Sequence, residues 1–223
     1  MTRAALAMLT DGRFPSGAHA YSAGIEVAVA RREVVDLGDL ERFLLGRAWT
    51  GGVVDASFAA WIAARRDSTV PWGRVDREMS ARLASAAQRA ASRRLGRQLA
   101  RVAARVWPSA WLAALAATPG GPHHAVTLGA TAASAGLDVE EAAFVAVLGA
   151  LTGPANAALR LLGLDPVGLQ ALLAGLAGVI ESVVVEAVAA SGGPLDDLPC
   201  RVGPASELAA EEHLERSPRL FAS

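Results

Sequence analysis

A chain of 223 residues, 52% hydrophobic but only 5% aromatic, is long enough for one large core or two small ones, and its abundant alanine favours helix. All 21 basic residues are arginine, which excludes a Walker-type nucleotide loop, a Schiff-base lysine and a Ser-Lys dyad. The net charge of −1 hides a dipole: residues 79–105 hold seven arginines and no acid, whereas residues 106–223 hold four arginines and twelve acids.

The opening "MTRAALAMLTDGRFP" is too short and too early in its charges for a signal peptide. A Pro15-Ser16-Gly17 turn leads into a predicted helix from about Ala18 to Arg32, which carries His19, Tyr21, Ser22 and Glu26. Asp36 or Asp39 could cap the next helix, "DLERFLLGRAW", with Leu40, Phe43, Leu44 and Trp49 facing inward. "VVDASFAAWIAARR" is a third amphipathic segment.

One long helix is predicted from about Pro71 to Trp107, with Leu95, Leu99, Val102 and Val106 on a single face. Thr118 to Pro122, "TPGGP", is a loop and the best candidate for a flexible connection. Asp138 and Glu141 form a capping-box start, and Asp165-Pro166 reads as N-cap and first helical residue. The uncharged run Ala142–Leu159 is read as buried core rather than a membrane span. Residues 166–187 keep helical spacing through a β-branched run, 192–204 are loop, and a short acidic helix precedes the tail "SPRLFAS". The expected fold is all-α: about nine or ten helices in one compact domain over 1–204, then 205–223 as acidic helix and docking tail.

Few of these residues point to chemistry. Glu26 has no titratable partner nearby in sequence, so a surface or interface position is favoured over catalysis. His123-His124 in the Gly-Pro loop reads as exposed imidazoles, and no metal site is predicted from the four histidines and Cys200. That lone cysteine excludes an internal disulfide framework and fits a reducing compartment. Arg89, Arg93, Arg97, Arg101 and Arg105 recur every fourth residue, with Arg82 and Arg94 beside them, as a ridge for an acidic surface or for phosphates. An all-α DNA-binding regulator using that ridge is the binding alternative, and a helical-cleft enzyme using Glu26 is the catalytic one.

"DGRFPSGAHAYSAGIE" resembles the N-terminal signature of the UreF family of urease accessory proteins, through Pro15, Gly17, Ser22, Gly24, Ile25 and Glu26. "SRRLGRQLARV" resembles the family's Ser-x-x-Leu/Met-Gly-Arg segment at Ser92 and Gly96, and "RLFAS" its C-terminal end. The resemblance implies a non-enzymatic, cytoplasmic, homodimeric all-α adaptor. It would join a UreD/UreH-type protein and the GTPase UreG so that nickel reaches apo-urease. Arg219, Leu220 and Phe221 would then contact the UreD/UreH partner, and Arg97 and Arg101 an acidic surface on UreG or the second subunit. No cofactor would be held by this chain: GTP belongs to UreG and nickel is cargo. Neither a membrane nor nucleic acid is an expected partner.

Overall fold

The computed structural model describes residues 2–16, 22–66 and 69–215. They form α1 (Thr2–Thr10), α2 (Ile25–Ala30), α3 (Leu37–Arg47), α4 (Val53–Ala63), α5 (Trp72–Ala81) and α6 (Ala86–Val106). The chain continues through α7 (Ala110–Ala116), α8 (His124–Ser134), α9 (Val139–Leu162), α10 (Pro166–Gly175), α11 (Ala177–Ser191) and α12 (Pro204–Glu215). A π turn, Ala48–Gly52, joins α3 to α4, and no strand occurs among the described residues. The fold is all-α.

α4 is the axis of the core. Every residue from Ala56 to Ala63 is buried, so the helix has no polar face and must be surrounded. α8, α9 and α11 surround it. Alanine and glycine at the crossings let the helices approach closely: a methyl on Gly129 of α8 would come within 2.9 Å of the Ala59 backbone. α9 starts on the expected capping box, Asp138 with Glu141, and ends on left-handed Gly163. Among the described helices it alone has the length and apolarity to cross a membrane, and ten of its side chains are buried in this bundle. Asp165 and Pro166 open α10 as expected, and Asp36 caps α3.

Four expectations are corrected. The helix expected over 71–107 is two, because α5 ends at Arg82 and Ser85 caps a new helix by accepting the Gln88 N–H at 3.1 Å. The helix expected from Ala18 has its described start at Ile25, since Ala23 and Gly24 are left-handed at φ 51° and 89°. Trp49 faces out rather than in, because the π turn shifts the register so that Ala48 and Gly52 point inward. Val106 is likewise exposed, as the last residue of α6. The run 166–187 is helical but bends by 45° at Leu176, between α10 and α11.

Candidate docking site at the C-terminal helix

Of the three sequence motifs, one supports α12 and another holds the 118–123 loop. Ser22 and Ile25 are buried, and Gly24 lies against α12: a methyl there would stand 3.3 Å from the Ala209 Cβ and 3.7 Å from the Ser206 backbone. A left-handed glycine is therefore required twice over, for its φ and for the approach of α12. Glu26 occupies the first turn of α2, half-buried. Pro15 is exposed, and its carbonyl accepts from Gln98 Nε2 at 3.4 Å. Gly17 and His19 lie outside the described residues.

The acidic helix meets the basic one end-on. Glu211 accepts from the Ser85 hydroxyl at 2.7 Å and the Ala87 N–H at 3.1 Å, and Glu207 accepts the Ser85 N–H. Arg31 of the turn after α2 pairs with Glu212. Two carboxylates thus take up the free N–H groups at the positive end of α6. The Ser85 hydroxyl, and then the Ala87 N–H, hold the Glu211 carboxyl below its usual range. The acids of α12 satisfy the start of α6 rather than its guanidinium groups.

"SRRLGR" clamps the 118–123 loop. His123 is wholly buried, its ring between Ser80 Oγ at 2.8 Å and Ser92 Oγ at 3.1 Å. Asp76 accepts the His123 N–H at 3.2 Å and pairs with Arg93 at 2.7 Å, and Arg93 donates to the Gly121 carbonyl at 2.6 Å. Ser92 also accepts the His124 N–H at 3.1 Å, and Arg97 donates to the Gly120 carbonyl. The expectation of exposed, flexible histidines is overturned: the loop is pinned by two successive turns of α6, through Ser92 and Arg93 and then Gly96 and Arg97. Burial, followed by Arg93, lowers His123 to about 4; burial, followed by Arg47, does the same to His124.

The clamp also dismantles most of the expected ridge. Arg82 is buried and donates to the Asp196, Leu198 and Pro199 carbonyls at 3.0, 3.0 and 3.1 Å, tying down the segment before α12. Arg89 donates to the Leu83 and Ala84 carbonyls, and Arg93 and Arg97 hold the loop. Arg94, Arg101 and Arg105 remain exposed beside Arg97.

Beneath the start of α12 is a cavity of about 90 Å³ that Arg47, Asp55, His124, Ser92 and Ser206 help to line. Arg47 lies 3.6 Å from Asp55. Burial raises the Asp55 carboxyl to about 6 despite the opposing pull of Arg47. No group of three or more His, Cys, Asp and Glu side chains placed to hold a metal occurs among the described residues.

The UreF family model matches residues 34–177. A urease accessory protein UreF of Mycobacterium marinum is 41% identical over 222 residues, covering 100% of this chain and 99% of the relative. Those of Mycolicibacterium vanbaalenii and Mycobacterium tuberculosis are each 40% identical over 220 residues, covering 99% of this chain and 98% of each relative. The chain belongs to the UreF family. UreF proteins are named as accessory proteins of urease, not as enzymes, and this chain is one of them.

Within this UreF fold, Gly24 lies against α12, Ser22 is buried just before it, and Ser92 and Gly96 hold the 118–123 loop. Arg97 and Arg101 stand on the outer face of α6. Arg219, Leu220 and Phe221 lie outside the described residues. Sequence reasoning missed the Arg47–Asp55–His124 cavity. The available signal was Asp55, a lone charge inside an otherwise apolar stretch, "VVDASFAAWIAA".

Proposed function

We propose that this chain is an adaptor that joins a UreD/UreH-type protein and the GTPase UreG in delivering nickel to apo-urease, acting in the cytoplasm as a homodimer. It holds no cofactor of its own; nickel is its cargo and GTP is bound by UreG. The observation that supports a docking role is the fixing of α12 at both faces, on Gly24 of α2 and on the N-terminus of α6. That helix leads into Arg219, Leu220 and Phe221, an arginine and two large apolar residues of the kind that anchor interfaces. Arg101, with Arg97 beside it, is proposed to meet an acidic surface on UreG or on the second subunit.

The DNA-binding reading draws no support from the ridge, because Arg82, Arg89 and Arg93 donate to the chain's own carbonyl and carboxylate groups and leave a shorter exposed row of arginines. The deciding experiment is size-exclusion chromatography with light scattering on this chain mixed with its UreD/UreH-type partner, with and without residues 217–223. A complex that needs the tail supports the adaptor reading. No complex with either chain would reject it.

A further inference from the structure

We propose that the cavity beneath α12 binds a small oxyanion, received by the side chain of Arg47. Its volume, about 90 Å³, exceeds the room one water needs several times over. Arg47 sits at the end of α3, where the π turn folds its guanidinium back over Gly51; a methyl on Gly51 would come within 3.0 Å of the guanidinium carbon. Its side chain is 11% exposed, and among the described residues its buried Nε has no hydrogen-bond partner. The Asp55 carboxylate, at 3.6 Å, is beyond hydrogen-bond reach of the guanidinium. An orphaned donor on a buried cation calls for an acceptor, and a charged one above all.

The surrounding groups select the sign of the ligand. Arg47 faces both Asp55 and His124, so a cation placed between them would meet a fixed positive charge. The other charged groups that line the cavity are committed: Arg82 to Glu78 and to the carbonyls of 196–199, Arg201 to Glu186 at 2.6 Å, and Glu207 to the Ser85 N–H. Arg82 and Arg201 are each neutralised by a carboxylate in hydrogen-bond contact, which leaves Arg47 as the cation of the lining that has no hydrogen-bonded carboxylate among the described residues. Asp55, already held at about 6, takes up a proton when an anion arrives and changes from a repelling carboxylate into an O–H donor. His124, held at about 4, stays neutral throughout. Binding of the anion is thereby coupled to uptake of one proton.

The test is calorimetric titration of the full chain with nitrate and, separately, sulfate, whose charges stay constant between pH 5 and 8. Affinity for at least one should fall about tenfold per pH unit above pH 6, as expected for one linked proton. Nitrate alone would mark a planar site, and sulfate a tetrahedral one. Asp55→Asn should bind with no pH slope, and Arg47→Gln, with native circular dichroism, should not bind. No heat from either salt at millimolar concentration in the native protein would overturn the proposal. Binding unchanged in Arg47→Gln, or a slope that survives in Asp55→Asn, would do the same. If Arg47→Gln does not fold, the Asp55→Asn slope decides alone.

Discussion

Gly96 and the Pro122 carbonyl are in direct contact: helix α6 runs so close under the loop that a methyl at Gly96 would overlap the oxygen. Helix propensity alone would favour alanine there by about 1 kcal/mol. Overpacking against rigid backbone opposes it by about 1–3 kcal/mol. Gly96→Ala should therefore destabilise the protein and free the 118–123 loop. Urea unfolding reads the sign directly, and a more stable variant would contradict the clamp.

The stability of the fold against pH has two opposed parts. The folded His124 sits near 4, below the ordinary 6.5, so the unfolded chain binds the extra proton. Stability from it is complete above pH 6.5 and is lost as pH falls toward 4, by about 3 kcal/mol. His123 acts in the same direction. Asp55 acts in the opposite one: its raised folded value adds stability below pH 3.8 that is lost as pH rises to about 6. Urea midpoints should rise from pH 4 to 6.5 in the native chain. They should rise more steeply in Asp55→Asn and stay nearly flat in His124→Asn.

Ser85 serves two helices at once, capping α6 and donating to Glu211 of α12. Ser85→Ala should cost about 1 kcal/mol or more. Amide exchange should quicken across α12 before it does in α4. Uniform quickening would show that α12 is not held through this residue.

Arg97 and Arg101 differ although they neighbour each other on one face. Arg97 holds the Gly120 carbonyl, whereas Arg101 is exposed on the same face. Arg101→Glu should change stability by less than about 0.5 kcal/mol, and Arg97→Glu should loosen the loop. If α6 meets an acidic partner, reversing both charges should abolish assembly with UreG or the homodimer. Arg101→Glu alone should weaken it without a folding defect. An intact assembly in light scattering would remove α6 from the interface.

Phe221→Ala should cost about 2 kcal/mol or more in affinity for the UreD/UreH-type protein if the ring is an anchor. A calorimetric titration with unchanged affinity would place the contact elsewhere.

Local signals in the sequence located the caps at Asp138 and Asp165, narrowed the α3 cap to Asp36 or Asp39, and marked the helical class of the β-branched run and the buried character of Ala142–Leu159. Each depends on residues within a turn or two of one another. What was not legible depends on distant partners. Arg82 looked like part of a surface stripe because spacing on one helix says nothing of the carbonyls at 196–199 that draw it inward. His123 looked exposed because its neighbours are glycine and proline, whereas Ser80 and Ser92 enclose it from two other helices. Trp49 faces out because a π turn breaks the regular helical repeat that the local sequence suggests.

The contact of α12 with α2 joins segments about 180 residues apart, as in the Arg31–Glu212 pair. Closing so long a loop carries an entropic cost that nearby contacts do not. On the ribosome, Gly24 emerges early, but the helix that covers it emerges last among those described. Throughout translation of everything between, the apolar surface around Gly24 has no cover. A chain cut short before residue 204 would lack α12 and leave the Gly24 side of α2 bare.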